Sequence, residues 1–228
     1  MFYPKLITNI LPTDKVLEIG PGASPHPRSD IFLELKMDSE EAYVRQFGQN
    51  KKLQTDKEVV FYDGIKFPFA DKQFDYVICS HVLEHVPDVE GFLSEIFRVG
   101  KKGYLEYPLI TYDYLLNYEV HLNFLKWNGK SLLYKKKNTT HLNEFKPVQE
   151  FFLRTVERDF DTYFKKIPQF FIEGFEWENS FPISTTNDLK ELMVKDKEIP
   201  RLKIELANEY SFGELLKALV KKITRRIS

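Results

Sequence analysis

The chain has 228 residues, 43% hydrophobic and 29% charged, with a formal net charge of −1. This is a globular balance, without the basic excess that draws a protein to nucleic acid. Its single cysteine, Cys79, excludes an intrachain disulfide and a cysteine-rich zinc site. Neither a secretory leader pattern nor an apolar run of membrane-spanning length is present, so a cytoplasmic location is expected and the sequon Asn138-Thr139-Thr140 carries no meaning.

The first element is the run Val16-Leu17-Glu18-Ile19-Gly20-Pro21-Gly22. Its apolar residues predict a buried strand over Lys15–Gly20, ending in a turn where two glycines let the backbone approach a ligand. Ile31–Leu35 reads as a second strand. Asp38 with Glu41 marks a helix start and Gly48 a stop. Glu58–Tyr62 is a third strand and Phe74–Ser80 a fourth, rich in β-branched and aromatic residues. A helix from Asp88 to Val99 follows, closed by Gly100, and Gly103–Tyr107 is a fifth strand stopped by Pro108. Strands alternating with helical segments predict a mostly parallel, doubly wound α/β sheet.

Beyond Pro108 the pattern changes. Leu122–Trp127 and Lys130–Lys135 flank Asn128-Gly129, the signature of a two-residue hairpin. Pro147 opens a long amphipathic helix, with Val148, Phe151, Phe152, Val156, Phe160, Tyr163 and Phe164 at helical spacing. Phe170–Trp177 is a late strand. Ser211 with Glu214 is a capping box that opens a C-terminal helix. The whole of 1–228 reads as one domain, with 1–110 as one half and 111–228 as the half that completes the sheet.

Four segments, in order, are similar to those of class I S-adenosylmethionine-dependent methyltransferases of the type 11-like, small-molecule kind. Glu18-Ile19-Gly20-Pro21-Gly22 resembles that family's acid-x-Gly-x-Gly loop after strand one. Phe61-Tyr62-Asp63-Gly64, leading to Phe67-Pro68-Phe69, resembles its acid after strand three and the turn that follows. Phe74 to Val86 resembles its "FDxVxxxxVLEHV" element. Arg98-Val99-Gly100-Lys101-Lys102-Gly103 resembles the turn before its fifth strand. The resemblance covers Val16–Pro108 and implies a Rossmann-like fold with S-adenosylmethionine as cofactor.

The resemblance also implies a site. Glu18, Gly20, Pro21 and Gly22 are expected at the methionine end of the cofactor. Glu34, with Asp38 as the alternative, is expected to accept from the ribose hydroxyls. Asp63 and Gly64 are expected at the adenine, and Ser80 and His81 beside the reacting methyl. The family's first crossover helix is replaced by Ala23–Asp30, whose two prolines predict a loop, and this shortened crossover is a route by which His26 or Arg28 reaches the cofactor carboxylate. A dinucleotide loop needs glycine at position 25, where this chain has Pro25, so a nicotinamide cofactor is disfavoured.

His81 is the candidate general base for a hydroxyl or amine acceptor, set against a packing role. On a helix His81, Glu84 and His85 share one face, and His121 is a further candidate partner. Some metal-dependent methyltransferases resemble this cluster, but the expectation is a metal-free site in which Glu84 and His85 fix the helix and its neighbouring loop. Tyr107, Tyr112, Tyr114, Trp127 and Tyr134 either line the acceptor site or pack. In the C-terminal helix 211–227, an apolar stripe (Phe212, Leu215, Leu216, Leu219, Val220, Ile223) sits beside Lys and Arg. It is read as docking on the domain or on a second subunit, with a membrane surface as the alternative. The functional expectation is methyl transfer to a small-molecule or glycan/lipid-pathway acceptor, through oxygen; the alternative is a non-catalytic scaffold of the same fold that binds cofactor or partner.

Overall fold

The structure is a computed structural model, and it describes residues 1, 3–36, 53–137, 142–156 and 168–195. The expected helix over 38–48, the continuation of the Pro147 helix beyond 156 and the C-terminal helix 211–227 lie outside the described residues.

Six strands form the main sheet: β1 (Val16–Ile19), β2 (Ile31–Leu35), β3 (Glu58–Tyr62), β4 (Phe74–Ser80), β5 (Gly100–Pro108) and a late strand, Ile172–Glu178, in the order β3-β2-β1-β4-β5-late. The first five run parallel and the late strand pairs antiparallel with β5. This is a Rossmann-like, mostly parallel α/β sheet. Val16, Leu17 and Ile19 are buried along the whole of β1, as a central parallel strand covered on both faces requires. Chain order reverses between β1 and β4, which places a crevice at their carboxyl ends.

The first crossover is a loop. Residues 20–30 form turns only, and β1 and β2 still pair in parallel register, Leu17 opposite Ile31. Helix α1 (Val89–Val99) connects β4 to β5. Asp88 caps it by accepting from the Gly91 amide at 3.0 Å, and its Phe92, Leu93, Ile96 and Val99 enter the main core. Arg98, on its last turn, holds the Phe67-Pro68-Phe69 turn in place. Its guanidinium donates to the carbonyls of Phe67 and Phe69 at 3.0 and 2.7 Å and pairs with Asp71 and Glu95.

Several expectations are corrected. β5 begins at Gly100 rather than Gly103, because its pairing with β4 starts at Phe74. A helix that no sequence signal marked, α2 (Ile110–Leu116), follows β5 directly. The hairpin of β6 (Asn123–Trp127) and β7 (Leu132–Lys136) turns through the four residues Asn128–Ser131, since Trp127 pairs with Leu132. The Asn128 side chain closes that loop by accepting from the Lys130 and Ser131 amides. The hairpin does not extend the main sheet: β6 and β7 form a second, three-stranded sheet with a short strand at Ile183–Thr185. Among the described residues the late strand, β8 (Ile172–Glu178), completes the main sheet, and Ile183–Thr185 is β9. Helix α3 (Lys146–Val156) turns Val148 and Phe151 outward, 65% and 69% exposed, while Gln149 is buried and donates to the Tyr114 carbonyl. Its inward face is therefore not the Val148–Phe151 stripe.

Candidate active site

A cavity of about 330 Å³ opens at the carboxyl ends of β1 and β2, against the segment after β4; Gly20, Glu34, Gly64, His81 and His85 line it. Gly20 sits at φ +60°, and a Cβ there would lie 2.6 Å from Val82 Cγ2. Any other residue would strain this left-handed backbone and push the Val82 side chain aside. Gly22 also has a left-handed backbone, with open space around its missing Cβ. Leu33, Leu35 and Ile65 add apolar wall.

Glu34 reaches the cavity from the end of β2. Burial, reinforced by the charge of Glu18, pushes its carboxyl up to about 7. Glu18 itself is buried, and its Oε2 accepts from the His26 amide at 2.8 Å and from Ser29 Oγ at 2.6 Å. Burial pushes its carboxyl up to about 7 as well, against the pull of those two hydrogen bonds. In this structure Glu18 holds the shortened crossover and does not line the cavity; Pro21 is buried beside it. His26 and Arg28 are drawn away to a different depression with Ile7 and Pro12, where Arg28 donates to the carbonyls of Leu11 and Asp14 at 3.1 and 3.3 Å. They do not reach the Gly20 cavity, so their expected approach to a cofactor carboxylate there is corrected. Asp63 is exposed and its Oδ1 accepts from the Ile65 amide at 3.0 Å, shaping the turn in which Gly64 has φ +90°.

His81 is not on a helix. It occupies a left-handed backbone conformation, φ +57°, directly after β4, and residues 83–85 form a single 3-10 turn. The argument from helical spacing is thereby corrected, but the side chains still converge. His81 Nδ1 lies 3.2 Å from Glu84 Oε1, and its Nε2 lies 3.3 Å from Glu106 Oε1. Burial alone lowers the imidazole, yet the two carboxylates outweigh it and hold His81 up at about 9. The two flanking acids favour the protonated ring, which can donate from both nitrogens.

Glu106, which the sequence reading did not single out, anchors this arrangement. It is buried in β5 and accepts from Ser80 Oγ at 2.7 Å, from Tyr104 Oη at 2.8 Å and from the Tyr3 amide at 2.8 Å. The available signal was an acid inside the apolar strand Tyr104-Leu105-Glu106-Tyr107.

The start of β6 brings His121 to the same place. The Leu122 amide donates to the Glu84 carbonyl at 2.7 Å, and Asn123 Nδ2 donates to the carbonyls of Leu83 and Val86. Glu84, His85 and His121 thus gather, with one ligand-type atom from each within 4.8 Å of the others. The aromatic candidates are engaged in packing or hydrogen bonds: Tyr107 donates to Glu173, Trp127 stacks on Phe175, Tyr134 donates to Glu90, and Tyr112 lies against Tyr118 and His121.

Residues 31–105 match the family described as a methyltransferase domain. Over 54 residues the chain is 44% identical to a sterol 24-C-methyltransferase of Schizosaccharomyces pombe, a match that covers 23% of this chain and 14% of that protein. Over 94 residues it is 33% identical to a demethylmenaquinone methyltransferase of Lactobacillus johnsonii, covering 37% of this chain and 38% of that protein. The chain therefore spans less than two-fifths of the length of these curated relatives. A solved S-adenosylmethionine-dependent methyltransferase from Mesorhizobium loti is 14% identical, with a TM-score of 0.33 over 54% of this chain and 57% of that one.

Proposed function

We propose that the chain, whose residues 31–105 match a methyltransferase domain, is a class I S-adenosylmethionine-dependent methyltransferase that methylates an oxygen of a small-molecule or glycan/lipid-pathway acceptor. The observation that carries the reading is the cavity at the carboxyl ends of β1 and β2, where Gly20 leaves no room for a Cβ and Glu34 presents a carboxyl group. Its volume of about 330 Å³ is in the range of small-molecule sites. In this reading Gly20 and Gly22 let the backbone approach the cofactor, Glu34 accepts from its ribose hydroxyls, and Leu35, Gly64 and Ile65 border its flat base.

S-adenosylmethionine supplies a methyl group already activated on a sulfonium, so the protein's contribution is binding, in-line alignment and exclusion of water. His81 serves as a positioning cation: it ties Glu84 and Glu106 together, fixing the chain after β4 against the cavity. Ser80 supports it through Glu106. The reading of 1–228 as one domain is kept as part of this proposal, and so is a subunit contact through segment 211–227. Removal of the chain after Tyr210 tests that contact: a lower melting temperature supports it, and loss of vesicle binding alone overturns it.

Calorimetry with S-adenosylhomocysteine tests the function first. One site per chain is expected; absence of binding overturns the reading. Transfer of a labelled methyl group across hydroxyl-bearing acceptors then separates an enzyme from a cofactor-binding scaffold.

A further inference from the structure

Helix α3 and the 3-10 turn before it, Leu142–Phe145, bury and expose the opposite of what packing alone calls for. Leu142 anchors the turn in a cluster with Ile110, Phe124, Leu133 and Leu192. Gln149 faces inward, and its Nε2 donates to the Tyr114 carbonyl at 3.1 Å. Its Oε1 is buried without a hydrogen-bond partner among the described residues, which costs stability. Phe145, Val148 and Phe151 meanwhile stand outward, 50%, 65% and 69% exposed. Their spacing of three sets them on one side of the segment. A helix shaped by folding stability alone buries its aromatics and leaves its amide in water. The outward face of α3 therefore answers to something outside the domain.

We propose that Phe145, Val148 and Phe151 form a docking face that seats in the surface of a phospholipid bilayer. The three side chains expose roughly 350 Å² between them, under half of the about 800 Å² that each partner of a standard protein interface buries. A second copy meeting this face alone does not gain enough area for a stable dimer, whereas a fluid bilayer accepts a protruding helix face without a matching groove. Charge points the same way. Glu144 and Glu150 balance Lys146 and Arg154, and Arg154 pairs with Glu150 at 3.9 Å. The face has no net charge to draw an acidic or basic partner, so its attraction is apolar and indifferent to headgroup charge. Position adds a third argument. α3 rests on α2, which follows the carboxyl end of β5, the end of the sheet at which the cavity opens. Docking through α3 holds the domain by that end. This face is separate from segment 211–227, whose Lys and Arg answer to anionic lipid, and it does not depend on the methyltransferase reading.

The test uses the full chain with phosphatidylcholine vesicles, without cofactor or acceptor. Co-sedimentation is expected to show binding that persists at high salt and gains little from added phosphatidylserine. Phe151→Glu weakens the partition at least about tenfold, the effect of losing one buried aromatic side chain. Its melting temperature stays that of the wild type, because the residue is exposed. Phe151→Trp supplies a second readout that keeps the face apolar. Relative to the wild type, its added tryptophan emission is expected to shift to the blue on vesicles and to be quenched by brominated acyl chains. Absence of binding to phosphatidylcholine vesicles, binding unchanged in folded Phe151→Glu, or a Phe151→Trp emission untouched by vesicles overturns the proposal. So does a dimer in analytical ultracentrifugation that Phe151→Glu dissociates, since a second copy is then the occupant. Because no readout uses S-adenosylhomocysteine, failure here and failure of the cofactor reading are separate results.

Discussion

Gly20 shows how a single missing carbon decides access. Its left-handed backbone and its approach to Val82 mean that Gly20→Ala introduces both strain and a clash at 2.6 Å. S-adenosylhomocysteine binding, measured by calorimetry, is expected to fall at least tenfold in this variant. Glu34 offers a test by pH. Its carboxyl titrates at about 7 because of burial and the neighbouring Glu18, and only the ionised form accepts from two hydroxyls. Affinity is therefore expected to rise between pH 6 and 8 and then level off. Glu34→Gln flattens that rise and weakens binding about tenfold at pH 8, the worth of a charged hydrogen bond. At this scale the glycine was legible in the sequence, because positive φ and a lost Cβ are properties of the residue type. The partners of His81 were not: Glu106 lies 25 positions further on and meets it only because β4 and β5 pair in register, Ser80 opposite Glu106.

The elements vary in how far local signals settle them. α1 was readable to the residue, since its cap, its apolar spacing and Gly100 all act within a turn or two of the chain. Its Arg98 carries a longer-range duty, gripping the Phe67–Asp71 turn through three partners, with Glu95 of its own helix as a fourth. Arg98→Met is expected to cost about 1.5–3 kcal/mol, as loss of hydrogen bonds to a charged group does, read from chemical unfolding. α3 is the opposite case. Helical periodicity alone cannot say which stripe faces inward when the apolar residues spread over more than one face. Val148 is exposed, so Val148→Lys is expected to change stability by less than about 0.5 kcal/mol in the same assay, whereas a core position would lose several times that. The hairpin falls between the two: Asn128-Gly129 did mark a reversal, but the cross-strand pair Trp127–Leu132 sets its length.

Among the described residues, two carboxylic acids have pKa values that rise on folding. Glu18 and Glu34 sit at about 7 in the folded chain, against about 4.5 when unfolded. Between those values the folded state binds more protons than the unfolded one, so stability falls as pH rises from about 4.5 to 7. Glu95 and Glu176, held low by Arg98 and by Tyr76 with Thr8, work in the other direction and lose their contribution as pH falls. The melting temperature is therefore expected to peak in mildly acidic buffer and to decline by several degrees toward pH 7.5. Glu18→Gln keeps an acceptor for Ser29 and His26, and a melting series in that variant is expected to show a shallower decline. Among the described residues no helix is long and apolar enough to cross a membrane.

Strand positions, the glycine turn and the looped first crossover were determined by the sequence itself, because burial on both faces, positive φ and proline act within a few residues. Tertiary structure alone decided what Glu18 does and where His26 and Arg28 point, and it set His121, a candidate partner by sequence, beside Glu84 and His85. Those outcomes depend on segments up to 38 positions apart meeting through the 2.7 Å bond from the Leu122 amide to the Glu84 carbonyl and through the register of parallel strands. Such meetings are fixed by the packing of the whole sheet, and no local pattern in the chain encodes them.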